Sequence, residues 1–224
     1  MKKETTNGEL NISVNLKPNT TFYDDKDVKV EKRNLLLHSC CGPCSTACIE
    51  RLVPDFHVTI FYYNPNITDR DEYEKRKENQ IKFITEYNAK LKEEDQVNFI
   101  EGEYIPEDFF EAAKNLEDEP EGGKRCTECF KLRLDRTAQV AKDSGFGIFG
   151  TTLTVSPHKN YTLISAIGTE IAKAYELEFL DMDFKKKDGF RRSTELAKEY
   201  ELYRQNYCGC EFSKWFLKEE KNAE

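Results

Sequence analysis

The cysteine pair at the end of an apolar run is the feature that most constrains this fold. Residues 34–39 form a strand-like apolar run, and Cys40 and Cys41 follow it directly. In an extended strand, neighbouring side chains point to opposite faces, so two adjacent thiols can serve one site only where the backbone turns. Gly42 and Pro43 come next and supply that turn. The chain is therefore expected to bend at the end of this strand, with both thiols at the bend.

Seven of the eight cysteines fall into three tight groups along the chain. Cys44 joins the first pair, Cys126 and Cys129 open a predicted helix, and Cys208 and Cys210 lie near the C-terminus. A metal or redox centre requires such grouping. A chain of 224 residues is long enough for one sizeable core, so it needs no disulfides to hold that core together.

The composition predicts a soluble, cytoplasmic protein that does not act at a membrane. No apolar run reaches the ~18 residues that a membrane-spanning helix needs, and residues 1–4 lead into a polar segment rather than a signal peptide. The cysteines are then expected in a reducing compartment. There, clustered thiols are metal ligands or catalytic groups more often than structural bridges.

The charge argues against a general nucleic-acid-binding surface. The formal net charge is −8, whereas phosphate contacts need concentrated lysine and arginine. A local basic patch stays open, because the densest cationic stretch contains Lys185, Lys186, Lys187, Arg191 and Arg192. This stretch is either a solvated loop or a contact surface.

The order of apolar segments predicts one α/β domain over 34–224, preceded by a polar N-terminal extension at 1–33. The predicted strands cover 34–39, 57–63, 96–101, 146–152 and 177–182. The predicted helices cover 43–53, 70–92, 106–115, 127–142, 159–176, 191–204 and 211–221. Strands that alternate with helices imply right-handed crossovers and a parallel sheet covered on both faces. The predicted fold class is therefore α/β, with a three-layer Rossmann-like parallel sheet and C-terminal helices.

Three of the predicted strands end in polar or thiol-bearing segments. These segments are Cys40-Cys41, Asn64-Pro65-Asn66 and Thr151-Thr152. In doubly wound α/β folds, ligands gather at the carboxyl ends of the strands. We therefore expect the three segments to share one rim of the sheet.

The cysteine spacing favours thiolate ligands. Cys44 stands on the first turn of a predicted helix, whose exposed N–H groups favour a thiolate, and Cys126 and Cys129 repeat this arrangement. Residues i and i+3 share one helix face, so both sulfurs can approach one ion or cluster. With Cys40 and Cys41 there are five candidate thiolates, more than the four of a structural zinc site, whereas an iron–sulfur cluster uses three or four. Spacing alone leaves an iron–sulfur centre, a zinc site and a dithiol redox site open.

The remaining cysteines receive separate interpretations. Cys48 lies one helical turn beyond Cys44 between apolar residues, so it is interpreted as a buried, inert thiol. Cys208 and Cys210 flank a single glycine, so a disulfide between them is strained but possible. Strained bridges are easily reduced and tend to be redox-active. The alternative is a pair of packing thiols in a C-terminal turn.

One histidine and two tyrosines are candidates for contact with a ligand. His38 lies within a strand and is interpreted as a hydrogen-bonded core imidazole. His158, at the start of a helix, is better placed to meet a ligand. Tyr62 and Tyr63 precede the amides of Asn64-Pro65-Asn66, a combination suited to holding a flat ring or a base, although strand tyrosines usually belong to the core.

Three arginines surround the second cysteine pair, namely Arg125, Arg133 and Arg136. They either contact a phosphate or pair with Glu121 and Glu128.

Taken together, these motifs resemble the cobalamin-independent epoxyqueuosine reductase family, QueH. The matching segments are Leu35–Cys44, Phe61–Ile67, Glu72–Arg76, Arg125–Leu134, Thr151–Lys159 and Tyr207–Ser213. Several ordered motifs with matching chemistry are much more specific than any single CxxC. The resemblance extends over most of the chain and leaves only the termini outside.

The resemblance implies an oxidoreductase of queuosine biosynthesis. Its substrate would be a tRNA with a GUN anticodon that carries epoxyqueuosine at the wobble position, and its product queuosine. The resemblance implies a 4Fe-4S cluster held by Cys40, Cys41, Cys126 and Cys129, with Cys44 as a further candidate ligand and an additional iron or other metal ion beside the cluster left open. It also implies an external electron donor of unspecified identity.

The resemblance further implies a HUP-like, adenine nucleotide alpha hydrolase-type variant of the Rossmann fold. Many such folds bind ATP through a glycine-rich phosphate loop. Here residues 39–43 occupy that turn and place thiols where backbone amides would hold phosphate. No dependence on ATP is therefore predicted.

The reaction that the resemblance implies sets three requirements for the site. Reducing an epoxide to an alkene takes two electrons, a Lewis acid at the departing oxygen and a proton source. A second metal or the Cys208 and Cys210 pair could deliver one of the electrons. His158, Tyr62 and Tyr63 are the candidate proton donors.

Two other classes of function stay open from the residues alone. One is a zinc-binding adaptor for tRNA or protein, in which the cysteines only fix loops. The other is a thiol–disulfide oxidoreductase that acts on protein disulfides without a metal.

Overall fold

The computed structural model describes residues 16–17, 20–23 and 29–214. The strands are β1 (Thr20–Tyr23), β2 (Lys29–His38), β3 (Phe56–Tyr62), β4 (Asn98–Glu101), β5 (Ile148–Thr151) and β6 (Glu178–Phe179). The helices are α1 (Gly42–Leu52), α2 (Arg70–Asn88), α3 (Pro106–Ala113), α4 (Lys124–Asp143), α5 (Tyr161–Tyr175) and α6 (Gly189–Glu199). Short 3₁₀ helices cover Glu93–Asp95 and Thr152–Val155, and residues 211–214 are helical.

Five parallel strands form the sheet in the order β4-β3-β2-β5-β6, and β1 pairs antiparallel with the first part of β2. The chain leaves β2 towards β3 and β4, then crosses back to add β5 and β6 on the other side. The reversal lies between β2 and β5, where a doubly wound sheet opens a crevice for a ligand. The Rossmann-like fold class is confirmed.

Side chains of the central strand, β2, belong to two separate hydrophobic cores. Leu35 and Leu37 belong to a core built with α1, α2 and α6. Leu36 belongs to the opposite core, built with α4 and α5. Because neighbouring strand residues point to opposite faces, three consecutive leucines supply both helical layers. The three-layer architecture follows from this alternation.

Most predicted elements are present, and the differences lie at their ends. β2 begins at Lys29, five residues before its predicted start at 34, while β6 is reduced to two residues. Residues 1–15, 18–19 and 24–28 of the predicted extension, and residues 215–221 of the last predicted helix, lie outside the described residues. The division into an extension and one domain stays a prediction. Among the described helices, none has the length and apolar character needed to cross a bilayer.

The prediction that α6 extends to residue 204 is wrong. The helix ends at Glu199, and Glu201 adopts a left-handed backbone with φ 49°. The N–H of Leu202 donates to the carbonyl of Ala197, and the N–H of Glu201 donates to that of Lys198. These two bonds form a Schellman motif, which satisfies the last carbonyls and ends the helix. The chain after residue 200 is therefore free to run as a loop along the end of the sheet.

His38 ties together the ends of three strands at the point of reversal. It is fully buried at the end of β2, with Nδ1 3.0 Å from Thr151 Oγ1 and Nε2 3.1 Å from the carbonyl oxygen of Tyr63. Burial, aided by the charge of Arg133, lowers the pKa of His38 to about 3, so the ring is neutral. A carbonyl can only accept, so Nε2 donates to Tyr63 and Nδ1 accepts from the Thr151 hydroxyl. The interpretation as a hydrogen-bonded core imidazole is confirmed.

Replacing Thr151 with valine tests this bridge between strands. The change keeps the shape of the side chain but leaves Nδ1 of His38 without a donor and the N–H of Leu153 without its acceptor, so the free energy of unfolding should fall by about 1–3 kcal/mol. Urea denaturation of the metal-free protein measures it. Thr162→Val on the exposed side of α5 is the matched control and should stay within about 0.5 kcal/mol of the parent. A Thr151→Val protein as stable as the parent would contradict the bridge.

Candidate metal centre

The turn after β2 brings three thiols together. Cys41 is the residue before α1, with an extended backbone, and Gly42 and Pro43 start the helix. A Cβ atom on Gly42 would lie 2.7 Å from the carbonyl oxygen of Asn79, so only glycine lets α1 pack this closely on α2. The sulfurs of Cys40, Cys41 and Cys44 all lie within 4.8 Å of one another. The predicted turn is confirmed, and the three thiols could hold a metal ion.

Hydrogen bonds distribute the charge unequally within this group. Contact with the thiols of Cys41 and Cys44 holds the pKa of Cys40 well below its usual range. Contact with Cys40 raises the pKa of Cys41 to about 12, and contact with Cys40 and Cys41 raises that of Cys44. Nε2 of Gln205 also donates to the Cys41 sulfur at 2.9 Å. Within this group, the surroundings therefore favour the thiolate form most strongly at Cys40.

The other two cysteine groups meet at a neighbouring cavity. We call this the first cavity, and its lining includes Cys126, Cys129, Cys208 and Cys210. Cys126 and Cys129 lie near the start of α4, while Cys208 and Cys210 come from the loop after α6. No local pattern in the sequence indicated that the third group would face the second. The second and third groups can meet because α6 ends at Glu199 and the chain continues as a loop that carries Cys208 and Cys210.

A second cavity adjoins the first. It is lined by Cys40 and Cys44 of the first group and by Cys208 of the third. His158 and Lys159 line both cavities. All three predicted cysteine groups therefore contribute to one continuous region, which lies at the carboxyl ends of β2 and β5.

Two cationic side chains near the cysteines can balance the negative charge of thiolates. Arg133 is 1% exposed and Lys159 is half-buried, and both line the first cavity. Burial alone would lower the pKa of each, but the nearby thiols outweigh it. Cys129, Cys208 and Cys40 raise the pKa of Arg133, and Cys208, Cys40 and Cys44 raise that of Lys159. Both side chains stay cationic and favour thiolates in the cavities.

The three arginines do not pair with the predicted acids. Nε of Arg133 donates to the Cys129 carbonyl at 3.2 Å, while its Nη2 has no hydrogen-bond partner among the described residues. Arg125 donates to the carbonyls of Leu116, Glu117 and Glu119, and Arg136 pairs with Glu103 at 3.5 Å. The two buried arginines, Arg125 and Arg133, donate to backbone carbonyls that the fold brings near them. The position of the nearest acid in the sequence therefore did not identify their partners.

The amides and tyrosines predicted to hold a flat ring are divided between different environments. Asn66 is 1% exposed, lines the first cavity and has no partner for either amide atom among the described residues. Asn64 instead donates to the carbonyl of Ser39. The hydroxyl of Tyr62 donates to the carbonyl of Tyr73, and that of Tyr63 donates to Asp108 at 3.3 Å. Asn66 is thus the member that faces the cysteines.

The candidate proton donors are separated in the same way. His158 is exposed and borders both cavities, whereas Tyr63 lines a different depression with Glu103 and Asp108. The assignment of Tyr63 as a catalytic residue stays a prediction, and its position does not favour it. The position of His158 does favour a catalytic role.

The last two cysteine predictions concern buried and paired thiols. Cys48 is fully buried, its pKa is raised by burial, and its thiol donates to the Cys44 carbonyl, as expected of an inert packing residue. All eight cysteines are free in the structure, including Cys208 and Cys210. A disulfide between these two stays a prediction.

Three residues of this region were not singled out from the sequence as site residues. Lys159 follows His158 directly, so its position beside a candidate ligand contact was the available signal. Gln205 lay just beyond the predicted end of α6. Arg76 ends the Glu72–Arg76 segment of the resemblance, but an arginine in a long polar helix is normally solvent-exposed, so no role in the site was assigned to it.

Arg76 holds the loop that carries Cys208. It is 1% exposed and pairs with Glu72 at 2.6 Å. Its Nη1 donates to the carbonyl of Cys208 at 3.0 Å, and its Nη2 donates to that of Tyr207 at 3.2 Å. Gly209 adopts φ +121°, where a side chain would be strained and a Cβ atom would lie 3.2 Å from Nη1 of Arg76. The arginine and the glycine together fix the third cysteine group.

The chain is similar to known proteins over most of its length. The model of the family described as epoxyqueuosine reductase QueH matches residues 35–215. A protein of that name from Streptococcus pyogenes serotype M1 is 40% identical over 211 residues, covering 90% of this chain and 82% of the relative. One from Staphylococcus epidermidis is 42% identical, covering 82% and 77%. One from Thermotoga maritima is 39% identical, covering 85% and 94%.

Replacing Arg76 should mobilise the third cysteine group. Arg76→Met leaves Glu72 nearly buried without its cation and should lower the free energy of unfolding by about 3–5 kcal/mol. Arg76→Lys keeps a charge but loses the paired carbonyl contacts, so the loss should be smaller. Both should speed hydrogen exchange at 205–210 and thiol labelling of Cys208. Arg70→Met, an exposed position on the same helix, is the control; unchanged exchange in the Arg76 variants would refute the docking role.

Proposed function

The chain belongs to the epoxyqueuosine reductase QueH family, and from this premise we propose that it reduces the epoxide of epoxyqueuosine at the wobble position of a tRNA with a GUN anticodon. The product is queuosine, so the protein is an oxidoreductase of queuosine biosynthesis. The observation that carries the proposal is the meeting of three cysteine groups at two adjoining cavities. These cavities lie at the edge of the sheet where doubly wound folds bind ligands.

The three thiols that lie within 4.8 Å of one another, those of Cys40, Cys41 and Cys44, and the two of Cys126 and Cys129 at the adjoining cavity are donors of the type that an iron–sulfur centre takes. We propose Cys40, Cys41, Cys126 and Cys129 as ligands of a 4Fe-4S cluster, with Cys44 as a further candidate. Thiolates are the ligands that such clusters use, and seven thiols exceed the need of one cluster. The surplus leaves room for an additional iron or other metal ion. When bound, the cluster supplies electrons and an iron that acts as a Lewis acid.

The reaction balances with two electrons and two protons. The epoxide loses its oxygen, the two ring carbons become an alkene, and the oxygen leaves as water. His158 is the proposed proton donor, because its ring borders both cavities and is open to solvent. The unpartnered Nη2 of Arg133 and the free amide of Asn66 would orient the substrate from the first cavity. Buried polar atoms without a partner are costly, so a bound group that satisfies them is favoured.

Cys208 and Cys210 are proposed as a redox pair. Oxidising the two thiols to a disulfide releases two electrons and two protons, and the external donor would reduce the disulfide again. Their free thiols border the first cavity, close to the proposed cluster ligands. The pair could thus pass electrons to the centre within a turnover.

The function is tested by an anaerobic assay on tRNA that contains epoxyqueuosine. Protein purified without oxygen should be brown, contain iron and acid-labile sulfide in comparable amounts, and convert the modified base. Replacing Cys40, Cys41, Cys126 or Cys129 singly with serine should remove the visible absorption. Because losing even an outer-shell partner costs roughly 10–100-fold, losing a ligand should reduce turnover by at least about 100-fold.

Cys48→Ala is the control for these variants and should keep its iron. Any one serine variant with full cluster content and turnover would show that its residue is not a ligand. Colourless parent protein with one tightly held zinc would favour the adaptor function instead. Metal-free activity on protein disulfides would favour a thiol–disulfide oxidoreductase.

The redox role of the third group makes a separate prediction. A Cys208→Ser, Cys210→Ser double variant should keep its iron and sulfide and bind tRNA normally, but fail at multiple turnovers. Each single variant should behave like the double, since a bridge needs both thiols. Rapid-quench and steady-state rates on one anaerobic preparation measure the difference. Loss of the cluster would make these cysteines ligands, and unchanged steady-state turnover would make them structural.

A further inference from the structure

An exposed aromatic ring and a cation form one wall of the second cavity. Phe190, in the first turn of α6, is 41% exposed. The guanidinium of Arg204 lies 5.7 Å from the centre of its ring, within the range of a cation–π contact. Both residues line the second cavity together with Cys40 and Cys44. The pair is therefore continuous with the proposed active site.

Phe190 is distinct among the exposed large apolar side chains. The others among the described residues are Leu16, Ile81, Ile105 and Phe110, and none of them lines either cavity. An isolated exposed apolar residue needs no explanation. An exposed ring beside the mouth of a catalytic cavity offers a flat surface at the place where a substrate must enter.

The charge of Arg204 is not used within the described part of the chain. Arg192 pairs with Glu50 at 2.7 Å and with Glu195, and Arg191 pairs with Asp188 at 3.0 Å. Arg204 makes no such ion pair with a described residue. The two arginines of the predicted basic stretch are thus neutralised by acids of the protein itself, whereas Arg204, which lies outside that stretch, remains available to a partner.

Two neighbouring lysines extend this available charge. Lys186 and Lys187 are exposed just before α6 and make no ion pair with a described residue, whereas Lys185 pairs with Asp183 and donates to the carbonyl of Lys159. A protein with a net charge of −8 thus keeps one unpaired cation at the exposed ring and two more shortly before it in the chain. An aromatic face flanked by unpaired cations is the arrangement that binds single-stranded nucleic acid, with a base on the ring and phosphate at the cations.

We propose that Phe190 and Arg204 form a stacking platform for the anticodon nucleotide next to the modified wobble base. The proposal rests on the function proposed above. The wobble base must enter the cavities to reach the cysteines, so its neighbour in the chain stays at the mouth, one nucleotide away. Phe190 stacks the base of that neighbour, and Arg204 contacts a phosphate while keeping its own contact with the ring.

The two residues should leave different signatures in RNA binding. Phe190→Ala removes a stacking surface, so affinity for an anticodon stem-loop RNA with a GUN anticodon should fall by about 5- to 150-fold at every salt concentration. Arg204→Gln removes one phosphate contact, so the slope of log affinity against log salt should become shallower by about 0.7. Phe190→Tyr keeps the ring, so it should retain most of the affinity that Phe190→Ala loses. Arg204→Lys keeps the charge, so it should retain most of the salt dependence that Arg204→Gln loses.

The measurement uses full-length, cluster-loaded protein, with fluorescence anisotropy of the labelled stem-loop across a potassium chloride series. Turnover of epoxyqueuosine tRNA is followed in parallel, and the loss in Phe190→Ala should fall on KM more than on kcat. Phe110→Ala is the matched control, because this ring is 40% exposed and borders neither cavity. Lys173→Gln, an exposed charge near the far end of α5, controls for general electrostatics.

Several results would overturn the platform. If Phe190→Ala and Arg204→Gln bind the stem-loop as the parent does while the parent reduces epoxyqueuosine tRNA, the platform is absent and the proposed function stands. If Phe190→Ala loses iron or absorbance, its role lies in the metal centre instead. An equal loss in Phe110→Ala would show a non-specific effect. A parent that neither binds nor reduces the tRNA would overturn the proposed function, and the platform with it.

Discussion

His38 joins the ends of β2, β3 and β5 through its two ring nitrogens, and the cysteine turn starts two residues later. The imidazole is neutral because it is fully buried, so one nitrogen donates and the other accepts. A lysine or arginine could not fill this role, since neither has an acceptor. The position of Cys40 and Cys41 relative to β5 thus depends on a residue that takes no part in the chemistry.

The cysteine region combines a concentration of thiols with two cations in a protein that is acidic as a whole. Arg133 and Lys159 come from α4 and from the turn before α5, so the two helices that form one layer of the fold also balance the charge of the site. Buried charges persist only when they are paired. The thiolates and these cations therefore stabilise one another, and a centre built from several thiolates becomes compatible with a buried position.

The third cysteine group is held at the site by the end of α6 and by contacts of two cationic side chains. The left-handed residue Glu201 ends α6, and Arg76 holds the carbonyls of Tyr207 and Cys208. At the far end of the loop Lys214 pairs with Asp69 at 2.8 Å, beside the start of α2. One helix, α2, thus positions the loop that carries both proposed redox cysteines, although it contributes no cysteine itself.

Periodicity in the sequence determined much of the fold. Alternating apolar runs and helical patterns identified the core strands, the sheet type and the rim at which Cys40, Asn66 and Thr151 would lie. This worked because the side-chain period follows from local backbone geometry. The cysteine groups and their motifs also identified the family. The end of α6 could not be predicted, because the Schellman position that normally holds glycine holds Glu201 here.

Only the tertiary structure decided which of these residues share a space. It placed Cys208 and Cys210 opposite Cys126 and Cys129, turned Tyr63 towards Asp108, and left Arg204 without an acid among the described residues. Which buried donor meets which acceptor depends on the packing of segments far apart in the chain, and no local pattern encodes that competition. Residue types and spacing thus determined the available chemistry, and packing decided where each group could act.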